Sequence, residues 1–225
     1  MEKRNTTKDR DQLTNAAALL PEHWEGIYRA KGDQELSWYQ EEPTSSLSLI
    51  REIASPGLRV IDVGGGSSVL AGRLLDAGFR KVAVLDISET ALNRAKSRIG
   101  PRHTLIRWIL ANVTKVGDVG EFDVWHDRAV FHFLTNPEDR RRYVALAERT
   151  IPTGGHLIIA TFALDGPEKC SGLAVERYDA KKLARELGPG FLLKKELHDS
   201  HMTPWGKPQS FTYAIFERVA SVHEE

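Results

Sequence analysis

The sequence predicts a doubly wound α/β sheet with helices on both faces, and three observations predict it. Residues 60–88, VIDVGGGSSVLAGRLLDAGFRKVAVLDIS, read as strand, glycine turn, helix and second strand. Short apolar runs then alternate with helical patterns as far as Leu187, the order that builds a parallel sheet with crossover helices. Two late apolar runs, around 192–198 and 211–218, follow with no helix between them, so the chain ends in a β-hairpin.

Taken in order, residues 1–15 are charged and polar and are expected to form a flexible tail. Residues 16–55 read as a helical preamble broken at Gly32 and Pro43, with Trp24, Tyr28, Trp38 and Tyr39 along it. The α/β core is expected over residues 56–220. Its first strand is Arg59 to Val63, followed by a helix with Val69, Leu70, Leu74 and Leu75 on one face. Strand two runs from Lys81 to Asp86. Ser88 is placed to cap the next helix, Glu89 to Arg98, which Gly100 and Pro101 stop. Strand three is His103 to Leu110 and strand four Phe122 to Trp125. The following helix starts at Asn136-Pro137-Glu138-Asp139, a cap, a first-position proline and two first-turn acids. Strand five is His156 to Thr161. A Gly/Pro-containing loop, Phe162 to Tyr178, precedes the helix Ala180 to Leu187. The last loop, His198 to Gln209, lies between the two late strands.

Composition narrows the function classes. Lys and Arg together number 31, as do Asp and Glu, so no basic excess points to nucleic acid. Cys170 is the single cysteine, which excludes an internal disulfide and fits a reducing compartment. No apolar run approaches the length of a membrane span, and the polar N-terminus lacks a signal core. A cytoplasmic protein with no membrane or nucleic-acid partner is expected. No C-x-x-C or H-x-x-x-H spacing appears, so no metal is expected.

The glycine turn decides what the core binds. A dinucleotide site wants G-x-G-x-x-G, so that backbone and helix N-terminus cradle a pyrophosphate. Gly64 and Gly66 supply the first two glycines, but the third position is Val69. Asp62 ends the first strand, where a carboxylate repels phosphate and suits a cation. Asp86 ends the second, where one carboxylate can accept both hydroxyls of a ribose. The pattern D-x-G-x-G-x-S followed by V-L-D-I-S resembles the first two motifs of the class I S-adenosylmethionine (SAM)-dependent methyltransferases, in a stand-alone, single-domain form. That resemblance implies a Rossmann-like, seven-stranded sheet, mostly parallel with an antiparallel last strand, and SAM as cofactor.

The resemblance also implies roles at the strand ends. Asp62, Gly64, Gly65 and Gly66 would line the methionine part of SAM, and Asp86 would take the ribose. Ile87 would lie against adenine, and Val113 is counted with the cofactor-binding residues. Asn112 stands where the family usually has Asp; it would accept from the adenine amino group, or serve as a turn residue. The run His126-Asp127-Arg128 would pass under the sulfonium. His132 occupies the place of a catalytic histidine in plant-type O-methyltransferases, and is read either as a base or as a packed neighbour of the cofactor. Asp127 and Arg128 are read either as part of the chemistry or as an internal ion pair. Around the acceptor, Tyr28, Trp38 and Tyr39 would form an aromatic wall, with Cys170, His201 and Trp205 at the rim.

The implied activity is methyl transfer to a small-molecule acceptor, a thiol or hydroxyl by preference. The alternative is a protein-lysine methyltransferase, and a third reading is a non-catalytic or NAD-binding module.

Overall fold

The computed structural model describes residues 21–220. The expected tail, residues 1–15, and the start of the preamble lie outside the described residues. Helices α1 (Pro21–Ala30) and α2 (Thr44–Ile53) precede the sheet. Then follow β1 (Arg59–Val63), α3 (Leu70–Asp76), β2 (Lys81–Asp86), α4 (Glu89–Ile99), β3 (Ile106–Leu110), β4 (Val124–Arg128), α5 (Pro137–Thr150) and β5 (His156–Phe162). A two-residue hairpin, β6 (Lys169–Cys170) and β7 (Leu173–Ala174), leads to α6 (Ala180–Leu187), β8 (Phe191–Met202) and β9 (Pro208–Arg218).

The large sheet has seven strands in the order β3-β2-β1-β4-β5-β9-β8. β1 to β5 run parallel, and β9 is antiparallel to both β5 and β8. The order reverses between β1 and β4, which opens a crevice at their carboxyl ends. This is the Rossmann-like fold of class I methyltransferases.

Local chemistry accounts for the helix boundaries. Ala91 N donates to the Ser88 side chain at 3.1 Å, Glu138 N to Asn136 at 2.9 Å, and Lys182 N to Asp179 at 2.6 Å. Each cap satisfies a first-turn donor that has no partner inside the helix.

Strand periodicity sorts the side chains into two cores. Val60, Val82, Val84, Val124 and Ile158 face one layer with Ile50 and Leu74, whereas Ile61, Ala83, Leu85, Trp125 and Ile159 face the other with Tyr143 and Leu146. Each fully buried Ile or Leu contributes about 1.5–3 kcal/mol relative to exposure. The same alternation sets the polar strand ends. Asp62, Asp86, His126 and Arg128 fall on the Val60 face, and Asp127 falls on the opposite face with Trp125.

The main boundary differences from the sequence reading lie at β3, β4 and the β8–β9 pair. β3 begins at Ile106, because Gly100–Leu105 forms a 3-10 turn behind Pro101. β4 extends through His126, Asp127 and Arg128; the buried side chains of His126 and Asp127 are hydrogen-bonded and so tolerate a place in the sheet. β8 and β9 continue to Met202 and Pro208, so His201 sits on a strand and only a tight turn around Trp205 remains of the expected loop.

Candidate cofactor and acceptor site

A cleft opens at the carboxyl ends of β1, β2, β3 and β4. Its floor is the glycine turn. Gly64 has φ 68°, and a Cβ there would lie 1.9 Å from a methyl of Val130. Gly66 has φ 49°, and its Cβ would meet the Tyr28 hydroxyl at 2.6 Å. Only glycine fits a left-handed conformation this close to a neighbouring side chain.

Asp86 lies at the wall of the cleft, 6 % exposed. Its Oδ1 accepts from Ser88 N at 2.8 Å, and the amides of Gly66 and Ile87 also donate to the carboxylate. Burial, with a smaller contribution from Asp62, still pushes its pKa up to about 7. Ile87, Val113 and Leu134 give the cleft an apolar side next to Asn112. Both acceptor positions of Asn112 Oδ1 are engaged by Thr114, by N and Oγ1 at 2.8 Å each, so the turn reading of this residue describes its oxygen.

Asp62 pairs with the residue opposite it in the sheet. His126 Nδ1 lies 2.8 Å from Asp62 Oδ1, and His126 Nε2 lies 2.9 Å from Ser46 Oγ on α2. With Asp62 as a carboxylate, Nδ1 is the donor of that pair. The pair buttresses the turn and ties α2 to the end of β1.

The preamble closes over the cleft. Trp24 and Phe133 meet edge to face at 5.0 Å, Trp24 and Trp38 at 6.0 Å, and Tyr28 and Trp38 at 6.1 Å. Burial first, and then Asp86, pushes the Tyr28 phenol well above its ordinary pKa, so it stays a neutral donor. Glu25 clips α1 to the start of α4, accepting from Ser88 Oγ at 2.9 Å and from Thr90 N at 3.0 Å. Arg94 and Arg98 on α4 reach Lys31 O at 2.7 Å and Ser67 O at 2.6 Å, and both bridge to Asp33. None of these three clips was read from the sequence. The i, i+4 spacing of Arg94 and Arg98 was the available signal, but it is common on solvated helix faces.

The β4 tip separates residues that the sequence grouped together. Asp127 points away from the cleft. It accepts from Val130 N at 2.9 Å, Phe131 N at 3.1 Å and Tyr143 Oη at 2.6 Å, and Trp125 Nε1 donates to the same tyrosine at 2.9 Å. Burial pushes its pKa up to about 6. It forms no ion pair with Arg128, because adjacent strand residues face opposite sides. Ala129 follows at φ 72°, a left-handed alanine at the cleft wall.

His132 is fully buried and is absent from the cleft lining. Its ring packs between Phe133 and Phe162 at 4.5 and 4.8 Å, and its Nδ1 faces Phe162 N at 3.4 Å. Its Nε2 is buried without a partner. Burial, and then Arg128, lowers its pKa to about 3. This is the packed arrangement; the ring does not reach the cleft as a base.

Arg128, Trp38 and Cys170 do line the cleft, on the side toward β5 and β9. Burial raises the Cys170 thiol pKa, which keeps it protonated and a poor nucleophile. His201 Nε2 donates to Ser37 O at 2.7 Å and holds the strip that presents Trp38. It lies with Tyr39 beside a neighbouring surface groove rather than the cleft. Trp205 is 58 % exposed in the β8–β9 turn and lines neither. Among the described residues no group of three His, Cys, Asp or Glu could hold a metal ion, and no helix is long and apolar enough to cross a membrane.

Residues 61–159 match the family described as methyltransferase domain. The zebrafish (Danio rerio) eEF1A lysine and N-terminal methyltransferase is 28 % identical over 161 residues, covering 70 % of this chain and 23 % of the relative. The ribosomal protein L11 methyltransferase of Staphylococcus aureus (strain MRSA252) is 29 % identical over 164 residues, covering 71 % of this chain and 46 % of the relative. The chain thus spans less than half the length of these two relatives. Among solved structures, the N-methyltransferase NodS of Bradyrhizobium japonicum with S-adenosylhomocysteine (SAH) superposes with TM-score 0.66 at 16 % identity, covering 86 % of this chain and 97 % of NodS. A protein from work on converting a disulfide into a thioacetal in echinomycin biosynthesis superposes with TM-score 0.69 at 17 % identity, covering 89 % and 93 % of the two chains.

Proposed function

We propose that this chain, a class I methyltransferase in fold and in its methyltransferase domain, binds SAM across the ends of β1, β2 and β3 and methylates a small thiol or hydroxyl acceptor held between Trp38, Arg128 and Cys170. The observation behind the cofactor assignment is Asp86, a carboxylate ringed by three backbone amides at the cleft wall. It has the acceptors a ribose diol needs, beside an apolar slot of the kind a purine fills. The floor suits no pyrophosphate, because the buried Asp62 carboxylate lies beneath Gly65.

When bound, SAM supplies the reactive methyl and the sulfide leaving group. The chain's own residues orient and enclose. Gly64 and Gly66 let the backbone approach, Asp86 fixes the ribose, and Trp24, Tyr28 and Trp38 exclude water that would compete with the acceptor. Among the described residues, no side chain lining the cleft is an unengaged base: Asp86 is committed to the ribose, Cys170 stays protonated, and His132 lies behind the wall. That favours a nucleophile needing little help with its proton, a thiol ahead of an alcohol or an ammonium.

A second reading, methylation of a protein, is supported by the two relatives above, which act on eEF1A and ribosomal protein L11. Radiolabelled SAM added to a lysate with this protein distinguishes the two. Label is expected in the small-molecule fraction, and a single labelled protein band would favour the second reading. For the cofactor, Asp86→Ala is expected to lose SAM binding by calorimetry with the fold retained, and wild-type affinity in that variant would overturn the assignment.

A further inference from the structure

We infer that the acceptor carries a carboxylate and that Arg128 holds it. The inference rests on the methyl-transfer reading and specifies the acceptor of that same site.

Arg128 is the last residue of β4, in register with Ala160 on β5, which is in turn in register with Tyr213 on β9. The methyl side chain of Ala160 leaves room above the sheet, and the arginine lies across it. Its Nε donates to Tyr213 Oη at 3.0 Å, and the guanidinium sits 4.6 Å over the Phe211 ring. Nη1 donates to Trp38 O at 3.1 Å. The side chain is therefore fixed, and it points from the cofactor half of the sheet toward the half where an acceptor must lie.

Its charge is not answered. Arg128 forms no ion pair among the described residues, and Nη2 is buried without a hydrogen-bond partner. Its charge acts to lower the pKa of His132, His201 and Cys170. A guanidinium held rigidly at the cleft wall with no ion-pair partner among the described residues is matched by an anionic group on the acceptor. The same charge disfavours a lysine ammonium at this point, so the inference also separates the two acceptor readings.

Matched pairs of small probes test it. Initial rates of SAH formation are compared for 4-mercaptobenzoate against 4-mercaptobenzamide and for 3-mercaptopropionate against its amide. Binding of benzoate and benzamide is measured by calorimetry, with and without saturating SAH. Each acid is expected to exceed its amide by roughly ten- to a hundredfold in kcat/KM or affinity, the span of a charge-assisted hydrogen bond. That preference should vanish in Arg128→Gln and weaken in Arg128→Lys. Equal behaviour of acids and amides in the wild type, or a preference that survives Arg128→Gln, overturns the inference. So does a variant that weakens SAH binding while leaving the preference unchanged, because Arg128 would then hold the cofactor's own carboxylate. A wild-type protein that binds benzoate over benzamide but not SAH would instead refute the methyl-transfer reading.

Discussion

Lowering the pH from 8 to 6 should weaken SAM binding about tenfold, through Asp86 alone. Burial raises this carboxyl's pKa to about 7, against an ordinary value near 3.8. The ionised form is the one that can accept both ribose hydroxyls. Its fraction is about 0.9 at pH 8 and about 0.1 at pH 6, and apparent affinity scales with that fraction. Hydrogen bonds from the ribose favour the charged form, so binding at pH 6 should release close to one proton. The sign for the free protein is opposite. Its folded pKa lies above the unfolded value, so the unfolded chain holds fewer protons between about pH 4 and 7. Stability should fall as pH rises through that window, by roughly 4 kcal/mol at most. Titration calorimetry in buffers of different ionisation enthalpy measures affinity and proton release together, and Asp86→Asn provides the control. Flat affinity in the wild type with no proton release would refute the reasoning, as would the same pH dependence in Asp86→Asn.

Three further outcomes follow from other contacts. Tyr143→Phe removes the hydroxyl that Asp127 accepts from and that Trp125 donates to, so chemical denaturation should register a loss of about 1–3 kcal/mol. Glu25→Ala releases α1 from the start of α4; limited proteolysis should cut the preamble faster, and SAM affinity should fall several-fold with global stability little changed. His132→Phe should keep substantial turnover, because the ring packs behind the cleft, and loss of turnover with SAM binding intact would restore His132 as a base.

The sheet and the glycine turn that shapes the cleft were legible in sequence because they rest on short-range signals. The glycine turn, the two strand-end acids and the caps at Ser88, Asn136 and Asp179 each act within a few residues. The acceptor side was less legible because it depends on which strands become neighbours. His126-Asp127-Arg128 reads as one polar cluster, yet alternation sends Asp127 into the Tyr143 core and leaves His126 and Arg128 on the cleft face. Arg128 acquires its fixed orientation from Tyr213 and Phe211, 85 and 83 residues away, and nothing local announces them. Likewise the local sequence around His201 reads as a loop, whereas antiparallel pairing with β9 draws it into a strand that supports Trp38 from behind.

The alternation along β4 also bears on how such a chain can diverge. Substitutions within residues 124–128 change one side chain at a time, and an altered Arg128 would reshape the cleft wall while leaving Asp127 and its partners in place. An insertion or deletion of one residue is a different event. It would exchange the two faces from that point on, turning Asp127 to the cleft and burying a guanidinium beside Tyr143. Lineages descended from this sequence can therefore vary the cleft wall by point replacement, while this five-residue segment holds its length.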